Sequence, residues 1–433
     1  MKAVRIALVL LVAGLAAAAA SAQPASERPI RIGLLSDCTG EWGSFHDYMV
    51  AGAELPLLRR GGRLVGSNPS EGIRGVQVAG HPVELVFGCA DGSTASAVAE
   101  ARQLVEAEHV DILVGPVSAN EEIALQDYAR LQIRTVFVDG SGSSHLQHPA
   151  PNFFAFHTDA AQWVAGLGSY AYHVLGWRRV VTVTNDPTAA FAWGETAGFL
   201  AEFCSLGGNV ARRIWMAPGT VDFSGVLAQI PAGRIDGFFV ATNGTAGIAD
   251  ALARWYPGLR GNVARKLLVG VADIQLNQLG ARIRGMVWGS RAGPATFPGG
   301  SYWREFRRAF PKLDPQLLGI FDVDYATAME ATLRALDQAH GDLSHGEDAL
   351  RAALARLRFV APDGSPVRLD RQHQAIAPNY LWKVRKADFS NPVLYRVVPA
   401  VERTFGGYLT SHDPPPSEQT PACKRRRPPP WAR

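Results

Sequence analysis

The sequence has little cysteine, and its four cysteines form no metal-binding pattern. It contains no Cys-x-x-Cys pair and no cluster of cysteine and histidine at zinc spacing, so we expect no metal site. A Gly-x-Ser-x-Gly elbow, a Walker A loop and a His-Glu-x-x-His motif are also missing. Asp139, Ser141 and His145 are close in sequence, but a catalytic triad is assembled in space rather than along one loop. These absences argue against an enzyme, and we expect no cofactor.

Long apolar runs are also scarce, and the one that exists stands at the start of the chain. Two basic residues precede it and Ala20-Ser21-Ala22 follows it as a small-residue cleavage pattern, so we predict a signal peptide over residues 1–22. A retained membrane helix is the alternative, but the run is short for a full span. No cysteine adjoins the cut after Ala22, so we expect no lipid anchor. The mature protein is expected in the periplasm.

Excess charge is small, because the net charge is only +4 on 433 residues. Much of it stands in the closing segment KRRRPPPWAR, and no basic stripe interleaved with aromatic residues occurs elsewhere. We therefore expect no nucleic-acid partner. Residues 411–433 are rich in proline and charge, and for this tail we predict disorder.

The remaining sequence shows a regular alternation of two kinds of segment from residue 29 onward. Short runs rich in Val and Ile, such as IRIGLLS (30–36) and RRVVTVTND (178–186), are apolar on most residues, as parallel strands covered on both faces are. Amphipathic stretches such as ANEEIALQDYARL (119–131) separate them. The alternation predicts an α/β fold of doubly wound parallel sheets.

The alternation is interrupted near residues 150–176, which divides it into two sets. We therefore predict two lobes, between which the chain crosses more than once. Lobe 1 is expected to comprise residues 29–156 plus 294–356, and lobe 2 residues 157–293 plus 357–408.

Polar and aromatic residues follow many of the predicted strands. Ligands of open parallel sheets bind beyond the carboxyl ends of the strands, so these residues are expected to line a small-molecule cleft. The candidate ligand-binding residues are Trp42, Phe45, Ser118, Gly140, Ser141, Gly142, Ser143, Trp193, Asn243 and Asp273.

Ser118 stands where a buried strand gives way to a helix, and two interpretations are open. A helix start offers unpaired N–H groups and partial positive charge that suit a small carboxylate. The serine also suits a plain N-cap. The Gly140–Ser143 loop also has two interpretations. It is either a glycine-rich turn or part of an oxyanion site beside Ser118.

The cysteines allow one predicted disulfide. Cys38 and Cys89 stand just beyond two apparent strands, so a bridge is possible if those strands are neighbours in a parallel sheet. Two free, partly buried thiols are the alternative. Cys204 lies on a predicted helix and is expected in the core, whereas Cys423 lies in the tail.

Several fragments, in order, resemble the periplasmic solute-binding proteins of branched-chain amino acid ABC transporters. They are IRIGLLSDCTGEWGSFHDYMVAGAEL, ARQLVEAEHVDILVGPVSAN, PNFFAFHTDAAQ, AWGETAGFLAEFCSLGG and VDFSGVLAQI. The resemblance covers roughly residues 29–408. It implies the type I periplasmic-binding fold, in which two lobes joined by three hinge strands close over a ligand.

The resemblance also implies roles for particular residues. Ser118 falls where the family holds the ligand carboxylate, and the Gly140–Ser143 loop falls beside it. Phe45, with Trp42 nearby, falls on an aromatic position of lobe 1, and Trp193 falls where the family often has tyrosine in lobe 2.

One departure concerns the acid that holds the ligand ammonium in amino-acid binders of this family. That position falls on Ala272, and the nearest acid, Asp273, is one residue further on. A second-lobe tyrosine of the family falls near Gly244. We therefore expect an aromatic or other small carboxylate rather than a branched-chain amino acid.

The resulting expectation is a monomeric, non-enzymatic binding protein that carries a small organic ligand to the permease of an ABC importer. An exported sensor domain of the same fold serving a membrane receptor is the alternative. An exported α/β hydrolase is a third interpretation, but the sequence contains no nucleophile motif for it.

Overall fold

The structure is a computed structural model that describes most of the chain from residue 28 onward. The described residues are 28–146, 150–185, 189–217, 219–242, 245–260, 263–270, 274–319, 321–386, 392–413, 417 and 419–433. The predicted signal peptide lies outside them.

The strands form two main, mostly parallel sheets, a five-stranded antiparallel sheet and a separate two-stranded antiparallel sheet. In chain order they are β1 (Ile30–Asp37), β2 (Arg63–Leu64), β3 (Ile73–Arg74), β4 (Gln77–Val78), β5 (His81–Ala90), β6 (Ile112–Val114), β7 (Val136–Val138), β8 (Phe153–Phe154), β9 (Arg179–Asn185), β10 (Asn209–Met216), β11 (Gly237–Ala241), β12 (Leu267–Val269), β13 (Val287–Ser290), β14 (Arg358–Val360), β15 (Pro366–Leu369), β16 (Ala375–Lys383) and β17 (Val393–Val401).

Most helices follow strands, as the alternation predicts. They are α1 (His46–Arg59), α2 (Thr94–Arg102), α3 (Ala119–Ala129), α4 (Ala160–Trp163), α5 (Leu167–His173), α6 (Ala190–Ser205), α7 (Ser224–Leu227), α8 (Thr245–Trp255), α9 (Val263–Lys266), α10 (Ser301–Ala309), α11 (Phe321–Gln338) and α12 (Asp348–Arg356). Short 3-10 segments occupy Gly43–Phe45, Pro69–Glu71, Pro257–Leu259, Ile274–Ile283, Pro294–Thr296, Pro315–Leu317 and Pro430–Ala432, and a π-helical turn occupies Gln103–Ala107.

Lobe 1 is built on the six-stranded sheet β4-β5-β1-β6-β7-β8. All neighbouring strands are parallel except β4 and β5. Alternate strand residues face opposite layers, as the pleat requires. Ile32 and Leu34 pack in the core beneath α1 and α11, whereas Leu35 packs with α2 and α3. The sheet is therefore covered on both faces, which explains its nearly continuous apolar strands.

Lobe 2 repeats this plan with the parallel sheet β10-β9-β11-β12. Val180 and Phe239 pack against α5 and α6 on one face. Val181 and Phe238 pack against α7 and α8 on the other. The two-lobed α/β fold predicted from the alternation is confirmed.

The antiparallel sheet joins the lobes. The chain passes from the lobe 1 core to the lobe 2 core after Phe156, back after Trp288, and forward again between Ala377 and Tyr380 on β16. β16 pairs with β13, β15 and β17. These three crossings form the hinge.

One lobe boundary differs from the expected one. Phe359 on β14 and Val367 and Leu369 on β15 pack in the lobe 1 core, although we assigned residues 357–408 to lobe 2. The reason is that the third crossing occurs within β16, after these residues, and strand order in sequence does not reveal where a long strand changes lobe.

Each lobe contains a disulfide. Because β1 and β5 are adjacent and parallel, Ser36 is level with Cys89, and Cys38 is bonded to Cys89 with Cα atoms 5.3 Å apart. In lobe 2, Cys204 near the end of α6 is bonded to Cys423, with Cα atoms 5.1 Å apart. The sequence did not indicate this second pair.

The C-terminal residues 419–433 pack on lobe 2, which corrects the prediction of a disordered tail. Cys423 is bonded to Cys204, and the buried Trp431 donates its indole N–H to Glu202 Oε1 at 2.6 Å. Proline and charge dominate the composition of this segment, but one covalent anchor and one aromatic anchor hold it in place. The amino-acid composition of a segment is an average, so it does not reveal two individual residues that attach the segment to the core.

Two searches of the described residues are negative. No helix among them is both long and apolar enough to cross a membrane. Within the same residues, no group of three or more His, Cys, Asp or Glu side chains is arranged to hold a metal ion.

Candidate functional site

The candidate site lies where the carboxyl ends of the two parallel sheets face each other. Helix α3 begins there in lobe 1, and helix α6 begins there in lobe 2. The side-chain oxygen of Asn120 on α3 accepts a hydrogen bond from the backbone N–H of Ala190 on α6 at 3.1 Å. The starts of the two helices are therefore in direct contact across the interface between the lobes.

Ser118 is the N-cap of α3. Its hydroxyl oxygen accepts from the Glu121 N–H at 3.4 Å, and the Glu121 carboxyl accepts from the Ser118 N–H at 3.0 Å, which completes a capping box. The side chain is half-buried, and this bond does not use its hydroxyl hydrogen. Ser118 is thus a cap that can also donate to a ligand oxygen, so the two interpretations of this residue are compatible.

The Gly140–Ser143 loop is packed directly against the segment before Ser118. The Ser141 N–H donates to the Pro116 carbonyl at 3.0 Å. Gly142 has φ +80°, and a Cβ there would meet the Val117 carbonyl oxygen at 2.5 Å, so glycine is required. The two segments that the sequence places at neighbouring strand ends do lie side by side.

The serines of this loop have different surroundings. The Ser141 hydroxyl donates to Asp324 Oδ2 on α11 at 2.7 Å, which commits it to the structure of lobe 1. The Ser143 hydroxyl is buried and has no hydrogen-bond partner among the described residues. Of the two, Ser143 is therefore the better candidate to meet a ligand.

Carboxyl groups of the protein itself surround the start of α3. Glu121 and Asp37, at the end of β1, are both buried. Burial raises the pKa of Glu121 to about 8, and the charge of Asp37 adds to this rise. Burial also raises the pKa of Asp37, to about 6, although a hydrogen bond with Glu121 opposes the rise. At neutral pH the pair therefore retains about one proton. The helix start is less positive than the sequence alone suggests.

A second network of buried ionisable side chains lies at the hinge. Arg291, just after β13, is paired with Asp324 of α11. His157 Nε2 lies 3.1 Å from Asp139 Oδ2 at the end of β7. Burial lowers the pKa of His157 and raises that of Asp139, so both groups favour their neutral forms. Sequence reasoning missed Arg291 and Asp324 because they are far apart along the chain.

The aromatic candidates of lobe 1 form a cluster beyond the carboxyl end of β1. The rings of Trp42 and Phe45 lie 5.2 Å and 5.0 Å from that of Phe321 at the start of α11. All three are half-buried. All three pack against the lobe 1 core, and Phe321 was not among the predicted residues.

Trp193 has a more interior position than expected. It is buried on α6 and its ring packs against Trp215 of β10, at 5.7 Å between centroids. It therefore belongs to the lobe 2 core rather than forming a wall of an open cleft. The half-buried aromatic on this helix is Phe191, whose ring meets that of Trp163 edge to face at 4.9 Å.

Two predicted site residues of lobe 2, Asn243 and Asp273, lie outside the described residues. The strands that precede them, β11 and β12, run parallel to β9, so all three strands end at the same edge of the sheet.

Comparison with known proteins agrees with this architecture. The model of a family described as periplasmic binding proteins matches residues 29–388. No curated protein matches the chain by sequence.

Solved structures show the same fold at low sequence identity. An ABC transporter substrate-binding protein from Sphaerobacter thermophilus is 23% identical, with a TM-score of 0.72, and the match covers 87% of this chain and 99% of that one. A solute-binding protein from R. palustris, solved with benzoate, is 20% identical with a TM-score of 0.68, over 86% and 97% of the two chains. A leucine-binding protein from Thermotoga maritima is 19% identical with a TM-score of 0.69, over 85% and 98%.

Proposed function

Because the chain belongs to the periplasmic binding protein family, we propose that it captures a small organic ligand between its lobes and delivers it to the permease of an ABC importer. It acts in the periplasm, by binding rather than by chemistry. The ligand binds to one lobe and the second lobe closes over it by a hinge motion.

The observation that carries this proposal is the contact between Asn120 and Ala190. It joins the starts of two helices that belong to different lobes, at the carboxyl ends of both sheets. Ligands of parallel sheets bind at such ends. A ligand between the lobes would lie beside this contact and stabilise the closed arrangement.

The lobe 1 side of the site is suited to an oxygen group of the ligand. The Ser118 hydroxyl can turn from the Glu121 carboxyl to donate to a ligand oxygen, and the buried hydroxyl of Ser143 lies in the loop packed beside it. A ligand carboxylate or carbonyl oxygen would accept from these groups. The neighbouring solved structures include a protein with bound benzoate and a leucine-binding protein, so both acid and amino-acid ligands are known for this fold.

Mass spectrometry of the native, exported protein tests the proposal. We expect a small organic molecule to co-purify and to be released on unfolding. The identified molecule should then raise the Tm of protein from which it has been removed. If nothing co-purifies, and no member of a panel of amino acids and organic acids changes the Tm, the proposed function is contradicted.

A further inference from the structure

A cavity of about 190 Å³ lies on lobe 2, apart from the site between the lobes. The end of α5 lines it together with β16, β17 and the C-terminal segment, through residues such as His173, Leu381 and Arg433. Helix α5 ends at His173 and the chain enters β9 at Arg179, so this end of α5 lies at the amino-terminal edge of the lobe 2 sheet. The candidate site lies at the opposite, carboxyl-terminal edge, and the cavity is therefore separate from it.

Two tyrosines and aliphatic side chains form the walls of the cavity. The rings of Tyr170 on α5 and Tyr395 on β17 meet at an interplanar angle of 78°, with centroids 5.4 Å apart, so they form a corner. Leu381 is fully buried in the lining, whereas Tyr395 is 42% exposed and Val174 is 53% exposed. Exposed apolar side chains that occur singly need no explanation, but these two adjoin one cavity. Apolar walls that stay open to solvent are typical of a ligand-binding groove.

An irregularity in β17 directs two consecutive side chains to this cavity. Leu381 on β16 pairs with Arg396, but the next residue, Trp382, pairs with Leu394, so Tyr395 has no partner on β16. Such a bulge inserts an extra residue into one strand and re-aims its side chains. Consecutive residues of a regular strand point to opposite faces, whereas Tyr395 and Arg396 both line the cavity. The bulge therefore places an aromatic ring and a guanidinium side by side.

The charged groups around the cavity favour an anion. Arg396 donates to the Trp431 carbonyl at 2.8 Å, and none of the described residues that line the cavity is an aspartate or a glutamate. Lys383 Nζ adds positive charge 5.9 Å from the centroid of the Tyr395 ring. The buried Glu202 interacts electrostatically with Arg396, but its oxygens accept from two backbone N–H groups and the Trp431 indole. The guanidinium of Arg396 thus retains N–H groups for a further acceptor.

We propose that this cavity is a second binding site, for a small aromatic carboxylate. The ring of the ligand packs in the corner between Tyr170 and Tyr395, and its carboxylate accepts from Arg396. A volume of about 190 Å³ is below that of cavities for drug-sized ligands, so the ligand has a single ring. The site does not depend on what binds between the lobes, and the proposal goes beyond the transport function.

A pair of fluorinated probes tests the proposal by 19F NMR titration of the exported protein. 4-Fluorobenzoate carries the charge, and 4-fluorobenzamide has the same ring without it. We expect the acid to bind about tenfold or more tightly than the amide. Arg396→Gln should weaken binding of the acid about tenfold or more, and Tyr395→Ala about threefold or more. Arg396→Lys keeps the charge and should retain part of the affinity.

Two further variants identify where the acid binds. Arg368→Gln is the matched control, because Arg368 is an exposed arginine on β15 of the same antiparallel sheet and does not line the cavity. It should leave the affinity unchanged. Ser118→Ala alters the site between the lobes and should also leave binding at this cavity unchanged. Arg396 and Tyr395 are exposed, so their variants should fold, which circular dichroism checks.

Three results would overturn the proposal. The first is that 4-fluorobenzoate does not bind, or binds no more tightly than the amide. The second is that Ser118→Ala abolishes binding while Arg396→Gln leaves it unchanged, since the acid then binds only between the lobes and the proposed function stands. The third is dimerisation that Tyr395→Ala prevents, with no binding of the acid, because this face would then be an interface between two copies of the chain.

Discussion

Helices α3 and α6 both begin at the interface between the lobes, but their first turns are completed differently. Helix α3 is capped by its own residues through the box formed by Ser118 and Glu121. Helix α6 has Ala189 at its N-cap and no side-chain cap of its own, and the Ala190 N–H is satisfied by Asn120 from the other lobe. Unpaired N–H groups at a helix start require a partner. The first turn of α3 is therefore capped within lobe 1, whereas the first turn of α6 gains its partner only when the lobes are together.

The largest expected effect comes from removing the Ser118 side chain that caps α3. Ser118→Ala should weaken ligand binding by about 1.5–3 kcal/mol, because a hydrogen bond to a charged ligand group is lost. It should also cost about 1 kcal/mol of stability through the lost cap. Calorimetry with the identified ligand and chemical unfolding measure the two effects separately.

Ser93→Ala provides the matched control for this experiment. Ser93 caps α2 in the same way, by accepting from the Ser96 N–H at 3.1 Å, but α2 follows β5, which is two strands away from β6 in the sheet. It should show the loss of stability without the loss of affinity. Equal affinities for Ser118→Ala and wild type would remove Ser118 from the site.

Removing the hydrogen bond between Asn120 and Ala190 should have an intermediate effect. Asn120→Ala removes the acceptor for the Ala190 N–H, so closure should lose about 0.5–1.5 kcal/mol. Small-angle scattering of the ligand-free protein should show a larger mean radius of gyration, with little change in the stability of either lobe. An unchanged scattering profile together with unchanged affinity would show that the contact does not contribute to closure.

Giving α6 its own cap sharpens the comparison further. Ala189→Ser should supply the missing side-chain acceptor and stabilise the protein by about 0.5–1 kcal/mol. The gain should be about the same when Asn120 is also replaced by alanine, since an N-cap side chain accepts from the second or third N–H of a helix, whereas Asn120 accepts from the first. A non-additive double-mutant cycle would show that the introduced hydroxyl and the Asn120 side chain act on the same group.

A separate prediction concerns pH and the acids beside α3. The pKa values of Asp37 and Glu121 are raised by burial to about 6 and about 8. The stability linked to their protons is therefore fully present at low pH and is lost as the pH rises from about 4 to about 8. Glu121→Gln keeps a capping-box residue and should flatten this decline in Tm. An identical decline in the variant would show that Glu121 does not hold the proton.

The fold was largely predictable because its parallel strands are buried on both faces. Such strands are apolar on most residues, and β1, β6 and β9 are recognisable for this reason. The antiparallel strands β15 and β17 were not predicted. Each contains proline, which weakens a strand assignment, and much of each is exposed.

The site was predictable only where neighbouring strand ends bring residues together. Ser118 and Gly142 follow adjacent strands, so their proximity follows from the topology. The pairing of Arg291 with Asp324 joins the hinge to a distant helix, and nothing in the local sequence marks either residue.

The two disulfides close loops of very different length. Cys38 and Cys89 are 51 residues apart, whereas Cys204 and Cys423 are 219 residues apart. A chain that crosses a membrane from its N-terminus can complete the first bond as soon as the first strands of lobe 1 have emerged. The second bond must wait until the later lobe 1 helices, the remaining hinge crossings and the C-terminal segment have followed. In a chain exported in this way, the Cys204 thiol would therefore wait for a partner 219 residues further on, whereas the Cys38 thiol would wait only for one 51 residues on.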